Sequence, residues 1–279
     1  MKRVLAIHGH SQCARTFRSK LSTIEDACQN IIEFGTYPTK QWPSGGVGSF
    51  SFSCPVFVDA PHFLMPIDLP GAISPHASAI NISGQPARAW WRFLYTMRDV
   101  PTVLESFEFI RTVLETQGPF DGILGFSQGA SFAALITAYL ENPGMKGNPL
   151  RNVHHPQLQF AVLFSGFYAP SETIPLPNNI RTPSLHVFGI HDIMVAPENM
   201  ARLAAYFESP RVEIHQGGHF IPRTMPWRRF LNEYLSSASA SKRQVAIGSP
   251  TLLTCRQELL TIRKTIQGLD GRIRSPAST

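Results

Sequence analysis

Pro119-Phe-Asp-Gly-Ile-Leu-Gly-Phe-Ser-Gln-Gly-Ala130 is the stretch on which the reading of this chain turns. Gly122-Ile-Leu-Gly125 is a short apolar run of the kind that forms a strand buried on both faces. A segment with helical spacing follows over about residues 128–141. Between them lies Gly-x-Ser-x-Gly, residues 125–129. A serine between strand and helix occupies a strained turn, and glycines on either side permit close backbone approach. That arrangement turns the Ser127 hydroxyl outwards and leaves the backbone N–H of Gln128, at the helix start, to stabilise an oxyanion.

Similar apolar runs stand at Val4–Ile7, Val56–Val58, Phe160–Phe164 and Leu185–Phe188, and Val212-Glu-Ile-His215 reads as the last strand. Segments of helical spacing lie at about 14–28, 101–117, 197–208 and 226–238. This alternation predicts an α/β protein with a mainly parallel central sheet and helices on both faces. Joined to the serine turn, it predicts the α/β-hydrolase fold. Residues 35–55, 66–87 and 142–157 break the pattern and read as loops of the kind that build a pocket rim.

A serine hydroxyl is a weak nucleophile until a base takes its proton. In this fold the partners follow in the order Ser, Asp or Glu, then His, which leaves only histidines after residue 127. His219 stands in Gln216-Gly-Gly-His-Phe-Ile-Pro222, a loop at the end of the last strand that can bring the imidazole over the sheet. His215 is the runner-up, but alternation along its strand points it to one face. Asp192 follows the strand Leu185-His-Val-Phe-Gly189 and fits the group that orients the histidine, with His191 beside it a loop residue. The loop after the first strand, His8-Gly9-His10-Ser11, supplies a second oxyanion donor: the backbone N–H of His10, with Ser11 next.

With 279 residues, 43% of them hydrophobic and 16% charged, the chain can bury one large core. We expect a catalytic domain over 1–238 and a basic tail over 239–279 that holds a possible amphipathic helix at 251–267. Packing on the domain or plain disorder is the leading reading of this tail, with a partner or an anionic surface as the alternative. The net charge is +6, and residues 240–279 hold a local balance of +5, so charge alone argues poorly for nucleic-acid binding. Cys13, Cys28, Cys54 and Cys255 form no Cys-x-x-Cys pair and no metal-ligand spacing, so reduced thiols are expected, with no disulfide framework and no metal site. No stretch approaches the roughly 18 apolar residues of a membrane span, and a cytoplasmic location is expected.

His8-Gly9, Asp59-Ala-Pro-His62, Ala89-Trp-Trp91, the stretch 119–130, Ser165-Gly-Phe167, Pro183–Gly189 with Asp192, and Gly217-Gly-His219 with Pro222 together resemble the fungal serine hydrolase family. That family is typified by the yeast family of serine hydrolases and the human ovarian-cancer-associated hydrolase, and the resemblance spans about residues 3–235. It implies a cofactor-free esterase or thioesterase acting on acyl chains. Several such proteins release polyketide acyl groups from an acyl carrier protein of a polyketide synthase. His62, Trp90 and Trp91 are then implied to line the acyl pocket, the tryptophans also suiting core packing. Phe126 and Phe220 beside the motifs suggest an apolar acyl group, although phenylalanine in this fold is as often core. Residues 35–55 exceed the family's usual link, as a substrate-gating loop or an unspliced segment, and the tail after 240 has no counterpart. Two rival functions stay open: acyl transfer through the same acyl-enzyme, and a non-catalytic small-molecule-binding protein of the same fold.

Overall fold

The computed structural model describes residues 2–28, 31, 56–65, 84–92, 97, 99–239 and 247–274. The segment 35–55 and most of 66–87 therefore lie outside the described residues. Six parallel strands form the central sheet: β1 (Val4–Ile7), β2 (Val56–Val58), β5 (Gly122–Phe126), β6 (Phe160–Phe164), β7 (Ser184–Gly189) and β8 (Arg211–His215). Their order is β2-β1-β5-β6-β7-β8. A two-residue antiparallel pair that the sequence does not announce, β3 (His62–Phe63) and β4 (Arg88–Ala89), stands apart from it.

The strands alternate between two cores. Val4 and Ala6 of β1 join Leu124, Val162 and Val187 in an apolar layer with α1 (Ala14–Cys28) and α5 (Met225–Ser239). Leu5 and Ile7 join Ile123, Leu163 and Ile214 on the opposite face, under α2 (Val100–Gln117), α3 (Gln128–Glu141), α4 (Pro197–Ala204) and α6 (Arg256–Arg274). Burial on both faces is why these strands read as unbroken apolar runs. From β1 the chain steps outwards to β2 and then returns past β1 to β5, so the order reverses between β1 and β5. In open parallel sheets that reversal parts the loops at the carboxyl ends and opens a crevice there.

Two helices depart from expectation. α4 stops at Ala204 rather than 208, because Tyr206 O accepts from Ile180 N–H (2.9 Å) and Glu208 N–H donates to Ile180 O (2.8 Å). The tail helix begins at Arg256 after a 3-10 turn at Leu253–Cys255, and extends to Arg274 instead of spanning 251–267. Its start is delayed because Thr251 is engaged elsewhere: its Oγ1 accepts from Ile214 N–H (3.1 Å) and donates to Glu213 Oε2 (2.9 Å).

The tail packs on the domain rather than hanging free. Glu213 is fully buried, and its carboxylate meets Arg211 (2.9 Å) as well as the Ser249 and Thr251 hydroxyls. Gln216 donates to Thr254 Oγ1 (2.8 Å), so residues 247–254 run alongside β8 towards its carboxyl end. Cys255 of the 3-10 turn is buried, and α6 then returns with Leu259 and Ile266 buried and Arg263 donating to Val212 O (2.9 Å).

At the C-terminal end of α3, Glu141 stands where the helix dipole disfavours a carboxylate. Burial also opposes its charge, yet bonds from the Arg181 and Thr182 N–H groups, the Thr182 hydroxyl and the Arg181 side chain hold its pKa below the ordinary value. Glu141→Gln is expected to lower the unfolding free energy by about 1–3 kcal/mol at neutral pH, read by urea denaturation. A depressed folded pKa stabilises above the unfolded value of about 4.3, and the gain is lost as pH falls through the folded value. The gap between parent and variant should therefore close on acidification.

Candidate active site

The loops that leave the carboxyl ends of β1, β5, β7 and β8 meet at one place. Ser127 sits between β5 and α3 with φ 54° and ψ −126°, the left-handed region that a side chain adopts only under constraint. The constraint is packing. A Cβ on Gly125 would come within 2.6 Å of Ala130 Cα, and one on Gly129 within 2.2 Å of His8 O. Only glycine lets the first turn of α3 press against both its own strand and the end of β1. Ser127 N–H donates to Phe164 O (2.8 Å), which fixes the turn to β6.

His219 lies on the loop after β8. Its Nε2 is 2.9 Å from Ser127 Oγ, and its Nδ1 is 2.7 Å from Asp192 Oδ2. The other Asp192 oxygen accepts from Met194 N–H and Val195 N–H, both at 2.9 Å. Burial would raise this carboxyl, but the bonds from His219 and the two amides outweigh it and hold the pKa below the ordinary aspartate value. Asp192 is therefore an anion in place, and its Oδ2 requires the proton of a neutral His219 on Nδ1. That leaves Nε2 to accept from the Ser127 hydroxyl. The Phe126 ring packs 4.9 Å from the imidazole and confines it from one side.

His215, the alternative base, is buried on β8, and burial pushes its pKa down to about 4. Its Nδ1 accepts from Gly217 N–H (3.1 Å), and its ring lies 5.0 Å from that of Phe220. It supports the loop that carries His219. His191 is exposed, as a loop residue would be.

Gln128 follows the serine at the start of α3, and His10 stands on the loop after β1 with its Nε2 3.3 Å from Arg92 O. The Gln128 side chain has a part that its place in the motif does not disclose. Its Oε1 accepts from Trp90 N–H and its Nε2 donates to Trp91 O, both at 2.9 Å, so it clamps a peptide 38 residues upstream. No local signal in the sequence points to that bond.

The residues implied to line an acyl pocket divide. Trp90 and Trp91 are both 0% exposed. Trp90 stacks on Phe132 at 5.0 Å and donates its indole N–H to His8 O (2.8 Å), while Trp91 meets Phe132 edge-on. Neither presents a face to a substrate; both are core supports, because Phe132 and Phe107 fill the space under α3 against them. Phe126 is likewise buried, between the His219 ring and the Lys20 ammonium. His62 is bonded to α2: its Nε2 lies 2.7 Å from Thr102 O, tying β3 to that helix. Phe220, next to His219, is 50% exposed and alone of this set presents a broad face to solvent. Among the described residues no cluster of His, Cys, Asp and Glu is arranged to hold a metal.

Residues 1–231 match the family described as serine hydrolase (FSH1). The chain belongs to the FSH1 serine hydrolase family. It is 30% identical over 247 residues to esterase OVCA2 of Danio rerio, an alignment covering 84% of this chain and 96% of that protein. It is 31% identical over 252 residues to esterase OVCA2 of Homo sapiens, covering 84% and 95%. Among solved structures, SOBER1 of Arabidopsis thaliana superposes with a TM-score of 0.53 at 15% identity, over 85% of this chain and 99% of that one. Acyl-protein thioesterase 2 of Zea mays gives 0.51 at 17%, over 85% and 93%. These likenesses show the α/β-hydrolase fold. In this FSH1 member, α6 lies wholly beyond the family match.

Proposed function

We propose that this FSH1 family member cleaves acyl esters or thioesters through an acyl-enzyme on Ser127. The observation that carries the reading is the continuous pair of hydrogen bonds from Ser127 Oγ through His219 to Asp192, at 2.9 and 2.7 Å. His219 Nε2 takes the hydroxyl proton as Oγ attacks the carbonyl carbon. The negative charge that develops on the carbonyl oxygen is met by the N–H groups of Gln128 and His10. As the C–S or C–O bond breaks, His219 returns the proton to the leaving thiol or alcohol. Water then enters, His219 takes its proton, hydroxide attacks the acyl carbon, and the proton goes back to Ser127 as the acid departs. Asp192 stabilises the imidazolium at each transfer and keeps its charge.

The relatives named esterase and the family match support hydrolysis. The finer reading is release of an apolar acyl chain, of the polyketide kind made in fungal secondary metabolism, from an acyl carrier protein. The half-exposed Phe220 beside His219 fits an apolar acyl group. Cys28 and Cys255 are buried thiols, in keeping with a cytoplasmic setting, and no helix among the described residues is long and apolar enough to cross a membrane.

The test is intact-mass spectrometry of the protein mixed with medium-chain acyl-pantetheine thioesters and matched oxygen esters, with free acid followed in parallel. A transient acyl adduct with acid release is expected, and faster turnover of the thioester supports carrier-protein offloading. An added alcohol or amine acceptor that diverts the acyl group would turn the reading to acyl transfer. Absence of adduct, turnover and fluorophosphonate labelling would leave a binding protein.

A further inference from the structure

His8 is fully buried, yet it carries two polar ring nitrogens into the heart of the molecule, 5.4 Å from the Trp90 ring. A polar ring in such a place costs stability unless both nitrogens are used. Both are. Nε2 lies 2.9 Å from Ala60 N, an amide that can only donate, so Nε2 accepts and carries no proton. The proton of the neutral ring therefore sits on Nδ1, 2.8 Å from Gly9 O, and donates to it. Burial pushes the His8 pKa down to about 4, so the ring stays neutral across the usual assay range.

The bonded carbonyl belongs to the peptide joining Gly9 to His10. A Cβ on Gly9 would come within 3.2 Å of Ser127 Cβ, which puts this peptide directly against the nucleophile. In a planar trans peptide the C=O and the following N–H point in opposite directions. Anchoring Gly9 O on one side therefore aims His10 N–H the other way. Gln12 N–H reaches the same oxygen at 3.2 Å and closes the turn.

We propose that His8 is a positioning residue for the oxyanion site, its Nδ1–H holding the Gly9–His10 peptide so that His10 N–H faces the carbonyl attacked by Ser127. The inference rests on the hydrolase reading above and adds to it the group that sets one of its two donors. It also gives a reason for the buried tryptophan. Trp90 binds His8 O, and Gln128 binds both Trp90 N–H and Trp91 O, so the end of β1 and the start of α3 share one network of buried bonds. The two donors, one from each element, are thereby kept in register.

Two isosteres separate positioning from packing. In His8→Gln the amide oxygen reaches the Nε2 position and can accept from Ala60, but donation to Gly9 O is lost. In His8→Asn the amide nitrogen takes the Nδ1 position and can still donate to Gly9 O. We expect His8→Gln to lower kcat about 10- to 100-fold, less than the loss of a whole oxyanion donor, with KM within about twofold. Its affinity for a trifluoromethyl ketone, which forms an oxyanion on Ser127, should fall by a similar factor, and His8→Asn should recover most of both losses. Equal losses in the two variants, or a kcat loss without the inhibitor effect, would overturn the proposal. If neither variant folds, nitrogen NMR of the parent decides: the proposal requires the proton of His8 on Nδ1, and a proton on Nε2 overturns it. Absence of Ser127-dependent turnover in the parent would overturn the hydrolase reading and this one with it, whereas normal turnover in a folded His8→Gln would overturn this one alone.

Discussion

Ser127→Ala is expected to lower turnover of an acyl thioester by about 10⁴- to 10⁶-fold, the range seen when a serine nucleophile of this kind is removed. The variant should show no acyl adduct by intact mass and no fluorophosphonate labelling. Folding should survive. The left-handed turn is set by the contacts of Gly125 and Gly129 with Ala130 and His8, and by the bond from the residue 127 amide to Phe164 O, none of which needs the hydroxyl. A thermal midpoint within a few degrees of the parent would make the loss chemical rather than structural. Activity retained within tenfold would sink the assignment of Ser127 as nucleophile.

Asp192→Asn should come close behind, with kcat reduced about 10³- to 10⁴-fold and KM little changed. The cause is a proton in the wrong place. Met194 and Val195 both donate amide protons to Oδ1, so the asparagine oxygen must stay on that side and its NH₂ must turn towards His219. His219 Nδ1 would then accept instead of donate, its proton would move to Nε2, and Nε2 could no longer take the proton of Ser127. Steady-state kinetics checks the size of the effect, and nitrogen NMR of His219 checks the tautomer. A variant that keeps more than a tenth of parental kcat would exclude Asp192 as the orienting group.

The sheet was legible because its strands are buried on both faces, so each reads as an unbroken apolar run: Val4–Ile7, Val56–Val58 and Phe160–Phe164 have the bounds that periodicity assigns them. The meeting of Ser127, Asp192 and His219 was legible for a related reason. Each follows a strand, and a parallel sheet brings strand ends to one edge. Side-chain destinations were not legible. Trp90 and Trp91 have the same apolar bodies whether they line a rim or fill a core, and only the position of Phe132 decides between them. Likewise, nothing local to Gln128 announces that its amide will meet a backbone 38 residues away. The bounds of α4 and α6 shifted because backbone and hydroxyl groups near their ends were taken by distant partners, Ile180 and Glu213.

The segment that lies along β8 also bears on how this chain is made. The family match closes at residue 231, but among the described residues the outer side of β8 is covered by residues 247–254 and α6, which are synthesised after the matched part. At roughly 5–20 residues per second, between about 1 and 9 seconds separate the emergence of the common domain from that of its cover. Throughout that interval the nascent sheet exposes the outer flank of β8 and a carboxylate, Glu213, still lacking its hydroxyl partners. An open strand edge is a template for pairing with a neighbouring chain, so the segment 247–254 and α6, which leave the ribosome after β8, become a safeguard against self-association.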